Sequence, residues 1–135
     1  MEAAAFKLDA FNFPKVFIDF DALEDSSLEI NFKPSGVYDE KEGSYNLNFE
    51  VFVICEANKK EIVKILCKAQ FSFEQNKKLN EIPEFFYPNS IAILFPYVRA
   101  FVSTVSLQAN VRPIILPTIN LMGLKDMLRE NTQVK

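Results

Sequence analysis

Cys55, Cys67, Arg99 and a scatter of carboxylates are the side chains of this chain that carry reactive chemistry, and their spacing assembles none. There is no histidine, so the commonest general base is missing, along with any Ser–His or Cys–His pair. The cysteines lie far apart, outside any CxxC motif, and nothing has zinc-ligand spacing. Both fall within strand-like alternation and read as reduced core thiols. Three glycines cannot build a phosphate-cradling loop. The carboxylates sit in turns and on polar faces, where solvation explains them. Arg99, in "PYVRAF", is the one charge inside an apolar helical stretch; it reads as a salt bridge or cap to a subunit partner, or as an anion site. These residues predict no enzyme, no metal site and no cofactor.

The elements that would position any site follow from composition and pattern. With 135 residues the chain reads as one domain with a proper core, set at residues 1–130 with a polar, frayed tail at 131–135. Fourteen phenylalanines and 49% hydrophobic residues exclude global disorder. A net charge of −3 and a pI near 5.0 argue against nucleic acid as a partner. No secretory signal is read near Glu2, and the longest apolar run, Ile91 to Val98, is far shorter than the roughly 20 residues of a membrane span. A cytoplasmic protein without membrane insertion is expected.

The fold class expected is α+β: a four-stranded antiparallel sheet, a long helix, an apolar proline-containing loop and a short C-terminal helix. Phe6, Leu8 and Ala10 alternate with polar residues, the phase slips at "FNFPK", and Val16, Ile18 and Phe20 resume it, as in a bulged edge strand. "LEINFK" alternates next, with "PSGVYDEKEGS" as the hairpin connection. Tyr45 to Glu56 and Val63 to Phe73 then give two strands with one apolar face each; Leu66 is an apolar residue on the charged face of the second. From Ser90 to Ala109 the pattern turns helical, with Leu94, Val98, Phe101, Val105 and Ala109 recurring at three and four, Asn89 as the cap, and Pro96 near the start or at a kink. That helix is apolar on more than one side, which predicts cover by a second subunit. "LMGLKDMLREN" reads as the short helix, behind Asn120.

Between the two helices lies "RPIILPTIN", strongly apolar yet carrying Pro113 and Pro117. Each proline removes a backbone donor and blocks a helix, and a central strand is equally excluded. Such a segment either caps the core or presents a stiff apolar surface to a partner.

"YPNSIAILFPYVRAFVSTVSLQANVRPIILPTINLMGL" resembles the most characteristic part of the SecB family of protein-export chaperones. The resemblance rests on Pro88–Asn89, on Leu94–Phe95–Pro96–Tyr97 with Arg99, and on Pro113, Ile114, Leu116, Pro117, Ile119, Asn120 and Leu121; "KILCKAQFSF" is similar to the family's fourth strand. It implies a homotetramer, a dimer of dimers with the long helix between dimers, and places Leu94, Phe101, Val105 and Cys67 at the oligomer interface. It also implies hydrophobic surface grooves that hold unfolded polypeptide clients without ATP, with Tyr97, Ile114, Leu116, Ile119 and Leu121 as client contacts.

In that family the outer sheet face is acidic and docks the SecA translocation ATPase. The matching positions here are Lys15, Asp19, Leu66 and Lys68, two of them reversed in charge, which weakens docking of a basic SecA tail. "DALEDSS" is also short for an export member. Three readings follow: a holdase for exported proteins or for one dedicated client such as an antitoxin, a carrier of a small apolar ligand, and a structural subunit whose apolar surface is consumed by assembly.

Overall fold

The computed structural model describes residues 5–74, 77–118 and 120–135, with backbone alone for Leu121 and Met122. Four long strands come first: β1 (Phe6–Ile18), β2 (Leu28–Asp39), β3 (Ser44–Cys55) and β4 (Glu61–Phe73). A helix α1 (Phe86–Gln108), a second helix α2 (Leu121–Glu130) and a short strand β5 (Thr132–Val134) complete the chain.

The sheet order is β1-β4-β3-β2-β5. Each long strand is antiparallel to its long neighbours, and β5 runs parallel to β2 through Gly36–Thr132, Val37–Gln133 and Tyr38–Val134. The expected four-stranded antiparallel sheet is therefore corrected to a mixed sheet of five strands, and residues 132–134 belong to the fold, not to a frayed tail. Long-range contacts hold them. The Gly36 N–H donates to the Asn131 carbonyl at 3.1 Å, the Lys135 N–H donates to the Tyr38 carbonyl at 2.9 Å, and the Tyr45 and Thr132 hydroxyls are hydrogen-bonded. Gly36 permits this, because a Cβ there would sit 2.1 Å from the Tyr45 hydroxyl oxygen.

Strict alternation sends one face of each central strand inward. Tyr45, Leu47, Phe49, Val51, Val53 and Cys55 are buried from β3, as are Val63, Ile65, Cys67, Ala69, Phe71 and Phe73 from β4. Strand β2 continues through "PSGVYD", longer than expected, with Pro34 tolerated where β2 has no outer neighbour. In β1 the register shifts twice, between Leu8 and Ala10 and between Asn12 and Lys15. The first shift places Ala10 opposite Gln70 on the outer face, against the expectation, and turns Phe11 and Phe13 inward against α1.

Helix α1 lies across the inner face. It starts at Phe86, a turn earlier than expected, so Asn89 is inside it and Pro96 is interior. Phe86 is the anchor, with ring centroids 4.8 Å from Phe6, 4.8 Å from Tyr45 and 5.0 Å from Phe73. Phe95 meets Phe32, Tyr97 meets Phe11 and Phe101 meets Phe13. By length and composition α1 is apolar enough to cross a membrane, longer than the run Ile91–Val98 suggested. Its buried stripe (Phe86, Tyr87, Ile91, Leu94, Phe95, Val98, Val102) is that of a helix covering a sheet. The opposite side exposes Ile93 and Leu107, and Tyr97 is exposed on the flank beside Phe11. Helix α2 buries Leu124 and Leu128, and Arg129 reaches Glu84 ahead of α1 at 2.8 Å.

Candidate functional site

Helix α1 ends in a left-handed cap. Asn110 has φ 59°, the Ala109 N–H donates to the Val105 carbonyl at 2.9 Å, and the Val111 N–H donates to the Ser106 carbonyl at 3.2 Å. The turn sends the connecting loop back along the helix. Two serines on α1 then hold it: the Ile114 N–H donates to Ser106 Oγ, and the Ser103 hydroxyl donates to the Ile114 carbonyl, both at 3.2 Å. Proline residues on either side exclude a helix or a ladder, so side chains alternate about this pinned point. Ile114 (2% exposed) and Leu116 (0%) turn into the core, while Ile115 (68%) faces out.

Facing this loop is the connection between β1 and β2. A 3₁₀ turn at Phe20–Ala22 is capped by Asp19, whose carboxylate accepts the Asp21 N–H at 3.1 Å. Asp25 accepts the Ser27 N–H at 2.9 Å, and Asn58 donates to the Ala22 carbonyl at 2.8 Å. These bonds fix a short polar segment that would otherwise be loose. Beneath it the backbone N–H groups of Glu24 and Asp25 hold the Cys55 thiol below the ordinary thiol range. The other thiol, Cys67, is pushed up to about 11 by burial alone, and both cysteines are free.

Between the two walls runs an open groove of about 450 Å³. Phe20, Leu23 and Leu28 give its apolar surface on one side, and Val111, Pro113 and Ile115 on the other. Asp21, Glu24 and Asp25 line the first wall, opposed by Arg112. No group of three or more His, Cys, Asp or Glu fit to hold a metal occurs among the described residues. The chemistry the groove offers is desolvation of apolar side chains next to fixed charge.

The structure sorts the expected residues unevenly. Tyr97 is 46% exposed on α1, its ring 4.4 Å from that of Phe11, and is open to a contact. Ile114 and Leu116, expected as client contacts, are 2% and 0% exposed, because the serine pins turn them inward; Ile114 still borders the groove, and the outward residue is Ile115. Ile119 and the Leu121 side chain lie outside the described residues. Of the expected interface residues, Phe101 and Val105 are half-buried, but Leu94 and Cys67 are 0% exposed within the protomer. Those two are covered by their own chain and offer a partner no surface. Lys15 pairs with Leu66 across β1 and β4, and Lys68 is one outward position along. Asp19 is apart from them, committed to its cap. Arg99 is half-buried on α1, with no ion-pair partner among the described residues. Phe20 and Leu28 were read as strand residues and Leu23 and Val111 as loop residues, none of them as part of a site; only the folded chain brings them to one groove.

No family model matches the chain. A segment of 59 residues, 41% of the chain, is 44% identical to the uncharacterized protein MJ0357 of Methanocaldococcus jannaschii and spans 38% of that protein's length. In fold, the chain is similar to the Mycobacterium tuberculosis Rv1957 SecB-like chaperone, solved in complex with a ChAD peptide from the Rv1956 HigA1 antitoxin. The TM-score is 0.69 at 11% identity, over 86% of this chain and 88% of that one. A protein of unknown function from Streptococcus agalactiae aligns with TM-score 0.48 and 16% identity, over 87% of this chain and all of its own. The fold is SecB-like.

Proposed function

We propose that this protein is an ATP-independent holdase chaperone that keeps polypeptides unfolded by binding exposed apolar segments in its surface grooves. The observation that carries the reading is the placement of Ile115 opposite Phe20, Leu23 and Leu28 across an open groove, in a fold whose neighbour Rv1957 was solved with a bound antitoxin peptide. An unfolded chain supplies apolar side chains; a native protein hides them. Binding the unfolded state alone suppresses folding and aggregation by mass action.

One groove is not enough. A groove of this size takes one or two client side chains, each worth about 1.5–3 kcal/mol, before the costs of ordering the client. The resulting affinity is millimolar or weaker by the arithmetic of binding. A homotetramer, a dimer of dimers, multiplies the grooves and turns weak sites into effective wrapping. The exposed side of α1, with Ile93 and Leu107, is the surface that supports such assembly. The edge of β2 from Leu28 to Lys33, without a neighbouring strand among the described residues, adjoins the groove and offers backbone pairing to an extended client.

Client contacts are Ile115, Phe20, Leu23, Leu28 and Tyr97. We assign the protein to a cytoplasmic role on a dedicated client, with an antitoxin as the type, ahead of general preprotein export: Lys15 and Lys68 beside Leu66 disfavour a basic SecA segment. The groove volume also suits a small apolar ligand, the second reading.

Aggregation of a protein diluted from denaturant, followed by light scattering without nucleotide, tests the reading. Suppression near one tetramer per client chain, lost in Ile115→Asp, supports it. A sound assembly that suppresses nothing but releases a small apolar molecule on denaturation supports the carrier.

A further inference from the structure

The outer face of the sheet, on the side away from α1, carries charge opposite in sign to the chain as a whole. Register places Lys15, Leu66, Glu50 and Lys33 in one row across β1, β4, β3 and β2, with Phe17, Lys64, Phe52 and Asn31 in the next. Lys68 stands on the other side of the first row, between Asn12 and Asn48. Four lysines thus share the centre of the face with a single carboxylate, on a chain of net charge −3. None of the four is in an ion pair among the described residues.

The apolar residues between them are open. Phe17 is 48% exposed and Leu66 is half-buried. The Phe52 ring is flanked by two ammonium groups, Lys33 Nζ at 5.2 Å and Lys64 Nζ at 5.6 Å from its centroid. Four lysines about an aromatic ring, with Glu50 the one carboxylate in their rows, leave an excess of positive charge that an anionic side chain completes.

We propose that this face docks an acidic polypeptide segment in which Asp or Glu alternates with apolar residues. The acids engage Lys15, Lys33, Lys64 and Lys68, and the apolar side chains cover Phe17 and Leu66. The patch spans roughly 14 Å in each direction, from strand spacing and rise, which suits a few residues of extended peptide. It ends at carboxylates, because Glu29 and Glu61 flank Ile54 in the row beyond Phe52. A continuous phosphate backbone would overrun the patch onto these acids, which disfavours a nucleic acid. The groove wall is itself acidic at Asp21, Glu24 and Asp25, so an acidic segment is steered to the outer face. This docking stands whether or not the groove holds unfolded clients.

A fluorescent peptide alternating Asp/Glu with Phe/Leu, its Lys-for-acid counterpart and a single-stranded DNA of equal charge are the probes, read by anisotropy on the intact protein. The acidic peptide is expected to bind with an affinity that falls as salt rises. Lys64→Glu with Lys68→Glu, both exposed positions checked for folding by circular dichroism, should weaken it about tenfold or more. Ile115→Asp should leave it unchanged. Absence of binding, equal binding of the Lys peptide, indifference to the lysine substitutions or tighter binding of the DNA would each overturn the proposal.

Discussion

Ser106 Oγ accepts the Ile114 N–H at 3.2 Å while its own hydroxyl donates to the Val102 carbonyl at 2.8 Å. One fully buried hydroxyl therefore ties the connecting loop to the helix it has just left, and decides that Ile115 faces solvent. Ser106→Ala keeps the helix but strands the Ile114 N–H in the core, which costs about 1–3 kcal/mol. Urea unfolding should show that loss, and hydrogen exchange should show faster exchange of the Ile114 amide than of the α1 core.

Leu116→Ala removes a fully buried side chain and should cost about 2–5 kcal/mol, whereas Ile115→Asp should leave the unfolding midpoint nearly unchanged. A larger loss for Ile115→Asp than for Leu116→Ala would mean that the loop adopts the opposite phase.

Much of the architecture was legible in the sequence, and the boundary of legibility has a physical meaning. In β3 and β4 alternation alone identifies the inward face, because both strands are flanked on both sides and one register slip would bury Lys64 and Lys68. In "PIILP" the same alternation allows two phases, Ile114 and Leu116 inward or Ile115 inward. The serines that choose between them sit eight and eleven residues earlier, pointing at the loop only once the helix has formed. Strand β5 was illegible for a similar reason: Thr-Gln-Val has no pattern to speak of and is held by Gly36, Tyr38 and Tyr45, nearly a hundred residues upstream.

Gly36 and Tyr45 give a second stability test. A Cβ on Gly36 would meet the Tyr45 hydroxyl oxygen at 2.1 Å and Cζ at 2.3 Å. Gly36→Ala should destabilise by about 2 kcal/mol or more, through overpacking. Tyr45→Phe alone loses the Thr132 bond, worth about 1 kcal/mol, and should not rescue Gly36→Ala, since the ring carbons collide as well. Thermal unfolding of the two single variants and the double variant checks both statements.

The link between α2 and the start of α1 depends on pH. The hydrogen bond and charge of Arg129, helped by Lys125, hold the Glu84 carboxyl below its ordinary value. A carboxyl depressed on folding contributes stability that is fully present above its unfolded-state pKa and is lost as pH falls through its folded-state pKa. The stability difference between the parent and Glu84→Gln should therefore be largest at neutral pH and vanish in acid. It should be small throughout, because both side chains are exposed. Denaturant titrations across that range measure it; a difference that grows on acidification would contradict the assignment.

The assembly prediction rests on the exposed side of α1. Sedimentation equilibrium should give a tetramer for the parent chain, and Ile93→Lys with Leu107→Lys should reduce it to smaller species while each protomer stays folded. A monomeric parent would leave the α1 surface without the partner proposed for it, and single-groove affinity would be all the protein has.

The measurement that tests the central claim most directly is equilibrium binding of one polypeptide in two states. Fluorescently labelled α-lactalbumin, native or permanently unfolded by reduction and carboxymethylation, is titrated with the protein in the absence of nucleotide and followed by anisotropy. The expected result is binding of the unfolded form alone, weakened about tenfold or more by Ile115→Asp, as loss of an apolar anchor and burial of an unpaired charge require. Equal binding of both forms, or binding of the unfolded form that ignores Ile115→Asp, would contradict the account.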